Sequence, residues 1–202
     1  MQYSLVELLL EEEDLTPQYQ IYCDMDGVLT NFEKRFVEML KKEGPKYYSK
    51  DVISKVSRPK HFEALEGTTE FWKFIDQHVG LEFWTGMEWM PNGKRLWEFI
   101  QPYQPKILSS PSRENTSRLG KRLWVKEHIT ETFDTFSAPE VIFRYSKAKA
   151  EFANPKAILI DDKPSNLEAW SAKGGIALEC KDGEIDSIIE QLKELGYERE
   201  LT

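Results

Sequence analysis

Apolar residues along this chain fall into two kinds of run. Some form short unbroken blocks that end in polar residues, and others recur every three or four positions with charges between them. The blocks are Tyr19 to Cys23, Lys106 to Leu108, Val141 to Tyr145, Ala157 to Ile160 and Ile176 to Leu178. Their β-branched and aromatic content predicts buried strands. Phe133 to Phe136 is a further apolar segment, but Val141 to Tyr145 reads as the third strand. The helical spacing covers Leu5 to Leu15 before Pro17, and Asn31 to Lys42 with Gly44-Pro45 as its stop. It returns in Lys94 to Gln101, Ser117 to His128, about Ser165 to Lys173, and Ile185 to Leu195 before Gly196. In the Ser117 helix the apolar face is assigned to Leu119, Leu123 and Trp124, and its basic residues Arg118, Lys121, Arg122 and Lys126 to solvent.

Strands alternating with helices predict an α/β fold, with a Rossmann-like parallel sheet of about five strands covered by helices on both faces. One stretch breaks the alternation. Residues 31–94 hold no convincing buried strand, only short helical patterns such as Phe62 to Leu65 and Phe71 to Ile75, so a small helical insertion follows the first strand. The expected organisation is an N-terminal amphipathic helix over 1–18, a core over 19–30 and 95–202, and an inserted helical unit over 31–94. The first helix reads as packing on the flank of the core; docking to a protein partner is the alternative.

Chemistry gathers where the blocks end. Asp24 and Asp26 follow the first strand, with Gly27 permitting a sharp turn behind them. The second strand ends in Ser109-Ser110-Pro111, and the fourth in the adjacent pair Asp161-Asp162. Two neighbouring carboxylates after a buried strand are costly unless a cation or N–H groups meet them. Between those strands Ser146 to Ala153 starts a short helix carrying Lys147 and Lys149, two positions apart and therefore unable to face one site together.

Asp24-Met25-Asp26-Gly27-Val28-Leu29-Thr30, the Ser-Ser-Pro strand end and Leu159-Ile160-Asp161-Asp162-Lys163-Pro164-Ser165-Asn166 resemble, in this order, the motifs of the haloacid dehalogenase superfamily of aspartate-dependent phosphatases. They look most like its 5′(3′)-deoxyribonucleotidase branch. The resemblance implies that Asp24 is the nucleophile and Asp26 the general acid and base. Ser109, with Ser110, would bind phosphate. Lys149, in a Lys-x-x-x-Ala pattern similar to related phosphatases, is preferred over Lys147 as the charge-balancing lysine. The resemblance also implies Mg²⁺ held by Asp24, the main-chain carbonyl of Asp26 and Asp162, with Asp161 as a further ligand or orienting group. The insertion would then be the cap over the site. Its aromatics read either as cap core or as a stacking wall for a nucleobase, with Trp72, Phe83 and Trp84 as the candidates. The implied reaction is hydrolysis of a small phosphomonoester, with a nucleoside 5′-monophosphate, in particular a deoxyribonucleotide, as the substrate. A sugar phosphate, a nucleic-acid end, and a binding module that kept only the fold are the alternatives.

Composition narrows the partners. The 202 residues, 40% hydrophobic and 31% charged, suit one core with an insertion, and no run of about 18 apolar residues predicts a membrane span. A start without a basic region and apolar stretch gives no secretory signal, so a cytoplasmic protein is expected. The net charge of −8 opposes general nucleic-acid binding and leaves a small phosphorylated molecule as partner. Cys23 and Cys180 read as buried small hydrophobes.

Overall fold

The structure is a computed structural model and describes residues 19–51, 53, 68–132, 138–181 and 183–197. The helix expected at Leu5 to Leu15 and the segments Phe62 to Leu65 and Phe133 to Phe136 lie outside the described residues.

Five strands form one parallel sheet: β1 (Gln20–Cys23), β2 (Lys106–Ser109), β3 (Val141–Phe143), β4 (Ala157–Asp161) and β5 (Ile176–Glu179). Their spatial order is β3-β2-β1-β4-β5. The strand alternation divides the apolar blocks between two cores. Ile21, Cys23, Ile107, Ile158 and Ile160 point to one face, whereas Tyr22, Leu108, Ala157 and Leu159 point to the other. Both faces are therefore dry, as the unbroken blocks require.

Helices cover each face. Leu167 and Trp170 of α6 (Pro164–Ser171) close the smaller core, joined by Phe152 from a 3₁₀ segment, Ser146–Phe152. Ile188, Ile189 and Leu192 of α7 (Asp186–Glu194) enter the larger one. That larger core runs without a break into the insertion. There α1 (Phe32–Tyr47), α2 (Thr69–Lys73), a π-helical turn (Phe74–Val79) and α3 (Leu81–Thr85) supply Phe36, Phe71, Phe74, Phe83 and Trp84. The chain returns to the sheet through α4 (Gly93–Ile100), which buries Leu96, Trp97 and Ile100. No described helix is long and apolar enough to cross a membrane.

Two helices depart from the expected pattern. Asn31 caps α1 as a turn-forming residue should, its side chain accepting from the Lys34 N–H at 3.0 Å, but α1 passes through Gly44-Pro45 instead of stopping there. The Tyr48 N–H closes onto the Gly44 carbonyl at 2.7 Å, and Tyr47 packs on Phe74 at 5.5 Å between ring centroids. One proline near a helix end removes a single N–H, and that packing outweighs it. The other departure is α5 (Asn115–Val125), rotated from its expected face. It buries Ser117, Gly120, Lys121, Trp124 and Val125, and leaves Leu119 and Leu123 exposed.

Candidate active site

Sheet order puts the site at the carboxyl end of β1, where the neighbours on its two sides, β2 and β4, come from different parts of the chain. The register sets the carboxylates level. Cys23 pairs with Ile160, and the Asp24 N–H donates to the Ile160 carbonyl at 2.9 Å, so Asp24 and Asp161 leave adjacent strands side by side.

Asp24 is held locally as well. Its Oδ1 accepts from the Met25 N–H at 2.7 Å, while Met25 itself turns wholly into the core. The Met25 carbonyl then accepts from the N–H groups of Leu29 and Thr30, folding the Asp24 to Thr30 stretch into a tight loop. Gly27 makes that loop possible in two ways. Its φ is +81°, and a Cβ there would lie 2.2 Å from Asp162 Oδ2.

Asp24, Asp161 and Asp162 each present an oxygen within 4.8 Å of the others. Asp161 is fully buried; burial raises its pKa first and Asp24 adds to it, while Lys149 opposes both. Asp162 is exposed as a residue, but its carboxyl group is tucked against Gly27. Its pKa is pushed up to about 8 by that local burial first and by repulsion from Asp24 and Asp161 next. Three crowded carboxylate oxygens with no His or Cys among them fit a hard divalent cation, which would relieve the repulsion that raises these values.

Lys149 lies at the back of the trio, fully buried, with Nζ 2.6 Å from Asp24 Oδ2 and 2.7 Å from Asp161 Oδ2. Burial works against its charge, but the two carboxylates win and hold its pKa above the usual lysine value. Lys147 is exposed. In the 3₁₀ segment Ser146–Phe152, with three residues per turn, residues two apart point about 120° from each other, so Lys149 enters the site while Lys147 faces solvent.

A second lysine was not expected here. Lys121 of α5, read from the sequence as solvated charge, is fully buried; its Nζ donates to Asp26 Oδ2 at 2.7 Å, Ser109 Oγ at 2.8 Å and the Ser110 carbonyl at 2.8 Å. The Trp84 ring lies beneath it, 5.2 Å from Nζ to the ring centroid. Gly120 permits this approach, since a Cβ there would stand 2.3 Å from Trp84 Cβ. Ser117, Gly120, Lys121 and Trp124 share one helical stripe, but the sequence offers Leu119 and Leu123 as a rival apolar face and periodicity does not choose between them.

Asp26 therefore stands apart from the trio, its Oδ1 accepting from the Thr30 hydroxyl at 3.1 Å and its Oδ2 from Lys121. Ser109 is fully buried beside Lys121, and Ser110 Oγ accepts from the Ser146 N–H at 3.0 Å. Asn166, also unassigned from the sequence, donates to Asp161 at 2.9 and 3.1 Å and accepts from the Ser146 hydroxyl at 3.0 Å. These bonds hold Ser146 at a φ of +27°, a strained value for a residue with a side chain.

The cap aromatics part company. Phe83 and Trp84 are enclosed in the core and leave no ring face for a ligand, which corrects their assignment to a stacking wall. Trp84 instead supports Lys121. Trp72 is half-buried and lines an open cavity of about 440 Å³ between the insertion and the loop after β2.

No family model matches this chain, and no curated protein does. Solved structures do. A haloacid dehalogenase-like family hydrolase from Xanthomonas campestris superposes with a TM-score of 0.54 at 9% identity, covering 90% of this chain and 93% of that one. An L-2-haloacid dehalogenase gives 0.52 at 10% identity, covering 81% and 85%. A predicted phosphatase from Clostridium acetobutylicum gives 0.51 at 13% identity, covering 87% and 99%. At these identities the likeness is one of architecture, and the chain has the α/β fold of the haloacid dehalogenase-like hydrolases.

Proposed function

We propose that the protein is a phosphatase that hydrolyses a small phosphomonoester through an aspartyl-phosphate, with a nucleoside 5′-monophosphate, in particular a deoxyribonucleotide, as its substrate. The observation that carries this is the Asp24 carboxylate, fixed at the end of β1 by Lys149 and the Met25 N–H beside two further carboxylates. Hydrolases that share this fold, among them the predicted phosphatase from Clostridium acetobutylicum, support the reaction class. Mg²⁺ is the cofactor of this reading, held by Asp24, Asp162 and the main-chain carbonyl of Asp26 with Asp161 beside them. When bound, it supplies positive charge against the phosphoryl oxygens.

The chain's own groups divide the remaining work. Asp24 attacks phosphorus as the ester P–O bond breaks, and Asp26 gives a proton to the departing alcohol oxygen. A water then attacks the aspartyl-phosphate, Asp26 takes its proton, and inorganic phosphate leaves. Ser109 and Lys121 bind phosphoryl oxygens on the β2 side, and Lys149 holds Asp24 in line. Asn166 and the Lys163 N–H, 2.9 Å from Asp161 Oδ1, keep Asp161 oriented.

The test is a screen of phosphorylated metabolites with Mg²⁺, reading released phosphate, in which nucleoside 5′-monophosphates are expected to lead. Turnover of sugar phosphates with no nucleotide turned over would remove the nucleotide reading, and no release from any compound would remove the phosphatase reading.

A further inference from the structure

The cavity beside Trp72 contains a carboxylate that the reaction does not use. Asp76, in the π-helical turn, is 6% exposed and lines this cavity together with Trp72, Lys73, Ser112 and Tyr145. Its Oδ1 accepts three hydrogen bonds, from Trp84 Nε1 at 3.2 Å, Ser112 Oγ at 2.9 Å and Thr116 Oγ1 at 3.3 Å. Its Oδ2 accepts none among the described residues. The side chain thus leaves one acceptor oxygen open to the cavity, and a side chain serving only to tie the insertion to the loop after β2 could be an amide. The insertion of π geometry into an otherwise α-helical segment is itself a feature that recurs where a helix must aim one side chain.

The cavity adjoins the carboxylate site through its neighbours in the chain. Its wall residues Pro111 and Tyr145 are the chain neighbours of Ser110 and Ser146, the pair joined across the site at 3.0 Å. Its volume, about 440 Å³, accommodates a nucleoside. Trp72 offers a flat ring at one wall, and Tyr145, 55% exposed, offers another.

We propose that Asp76 is the base-reading residue of this site, and that its free Oδ2 selects a guanine base by accepting from the ring N1–H and the exocyclic amino group. This rests on the nucleotide reading above and narrows it. Guanine sets two donors side by side on one edge, whereas thymine and uracil flank a single N–H with two carbonyl oxygens whose lone pairs would face the carboxylate. A lone acceptor oxygen beside a stacking ring therefore favours guanine and opposes thymine.

The experiment compares kcat/KM for dGMP, dTMP and p-nitrophenyl phosphate in the wild type and in Asp76→Asn. The amide can keep the acceptor that holds Trp84, Ser112 and Thr116 while presenting a donor to the cavity. The wild type is expected to prefer dGMP over dTMP by roughly tenfold to a hundredfold. Asp76→Asn should erase or invert that ratio, with p-nitrophenyl phosphate turned over as before. Nucleotide hydrolysis by the wild type with no dGMP preference overturns the inference and leaves the proposed function standing. Equal losses on all three compounds in the variant overturn it too, and make Asp76 a structural tie. Turnover of p-nitrophenyl phosphate with neither nucleotide hydrolysed removes the nucleotide reading and this inference with it.

Discussion

Lys121 Nζ lies 2.7 Å from Asp26 Oδ2, joining a helix that follows β2 to the loop that follows β1. The pair is asymmetric: the lysine side chain is fully buried and the carboxylate 28% exposed. Lys121 thus brings a positive charge to the site from below, while Asp26 keeps an open side toward solvent, where a leaving group could take its proton.

Replacing Lys121 by Met should therefore lower kcat by roughly tenfold to a thousandfold, because Ser109 and Asp26 lose their common donor and phosphoryl oxygens lose a cation. Arg122→Met, one residue along on the exposed face of α5, is the control and should leave kcat unchanged. Steady-state kinetics on p-nitrophenyl phosphate compares the two. Similar kinetics in both variants would mean that Lys121 only fills space.

Asp24→Asn should abolish turnover, by at least roughly three orders of magnitude, without unfolding the protein. The amide keeps the shape that receives the Met25 N–H, and Lys149 retains Asp161 as a partner at 2.7 Å. Released phosphate measures the loss, and far-ultraviolet circular dichroism with a melting curve checks the fold. A variant keeping a tenth of wild-type activity would rule out the covalent route.

The strand-end chemistry was legible because it depends on local order. A buried block running into Asp24, Ser109 or Asp161 has one open end, and the sheet must bring those ends to one edge. Lys121 was not legible in the same way. Its helix carries four basic residues within nine positions, and the two leucines suggested the wrong face. Which lysine is buried was decided by Gly120 meeting Trp84 across nearly forty residues of chain, a contact that no periodicity contains. Phe83 and Trp84 illustrate the converse. Aromatic content marked the insertion, but burial by α1 and α5 rather than ring type settled which rings a ligand can reach.

Gly27→Ala should weaken magnesium binding selectively. The positive φ costs a residue with a Cβ about 1–2 kcal/mol, and the added carbon would collide with Asp162 Oδ2 and push that carboxylate out of the trio. The expected outcome is a higher Mg²⁺ concentration for half-maximal activity, matched by Asp162→Ala. In the wild type EDTA should silence the enzyme and Mg²⁺ restore it, while Ca²⁺ raises the melting temperature but supports poor turnover. Full activity in chelator would take the metal out of the mechanism.

Asp76 also predicts a pH-dependent difference in stability that is separate from catalysis. Its pKa is raised by burial first; hydrogen bonds from Ser112, Trp84 and Thr116 act in the opposite direction, and Glu114 adds to the rise. Lys73 also lines the cavity, but Asp76 has no ion-pair partner among the described residues. A carboxyl group whose folded pKa exceeds its unfolded value binds more protons when folded, so its contribution to stability falls as pH rises from the unfolded value through the raised folded one. Asn at this position cannot ionise and lacks that loss. Asp76→Asn should therefore melt at a higher temperature relative to wild type at pH 7 than at pH 4, with the difference growing across that interval. Melting curves of both proteins in one buffer series, with EDTA present so that the carboxylate trio is metal-free and titrates alike in both, provide the measurement. A constant difference would mean that Asp76 titrates alike in the folded and unfolded states. A difference that grows with pH would mean that the chain keeps a destabilising charge in this cavity, which is what a residue selected to read a ligand should do.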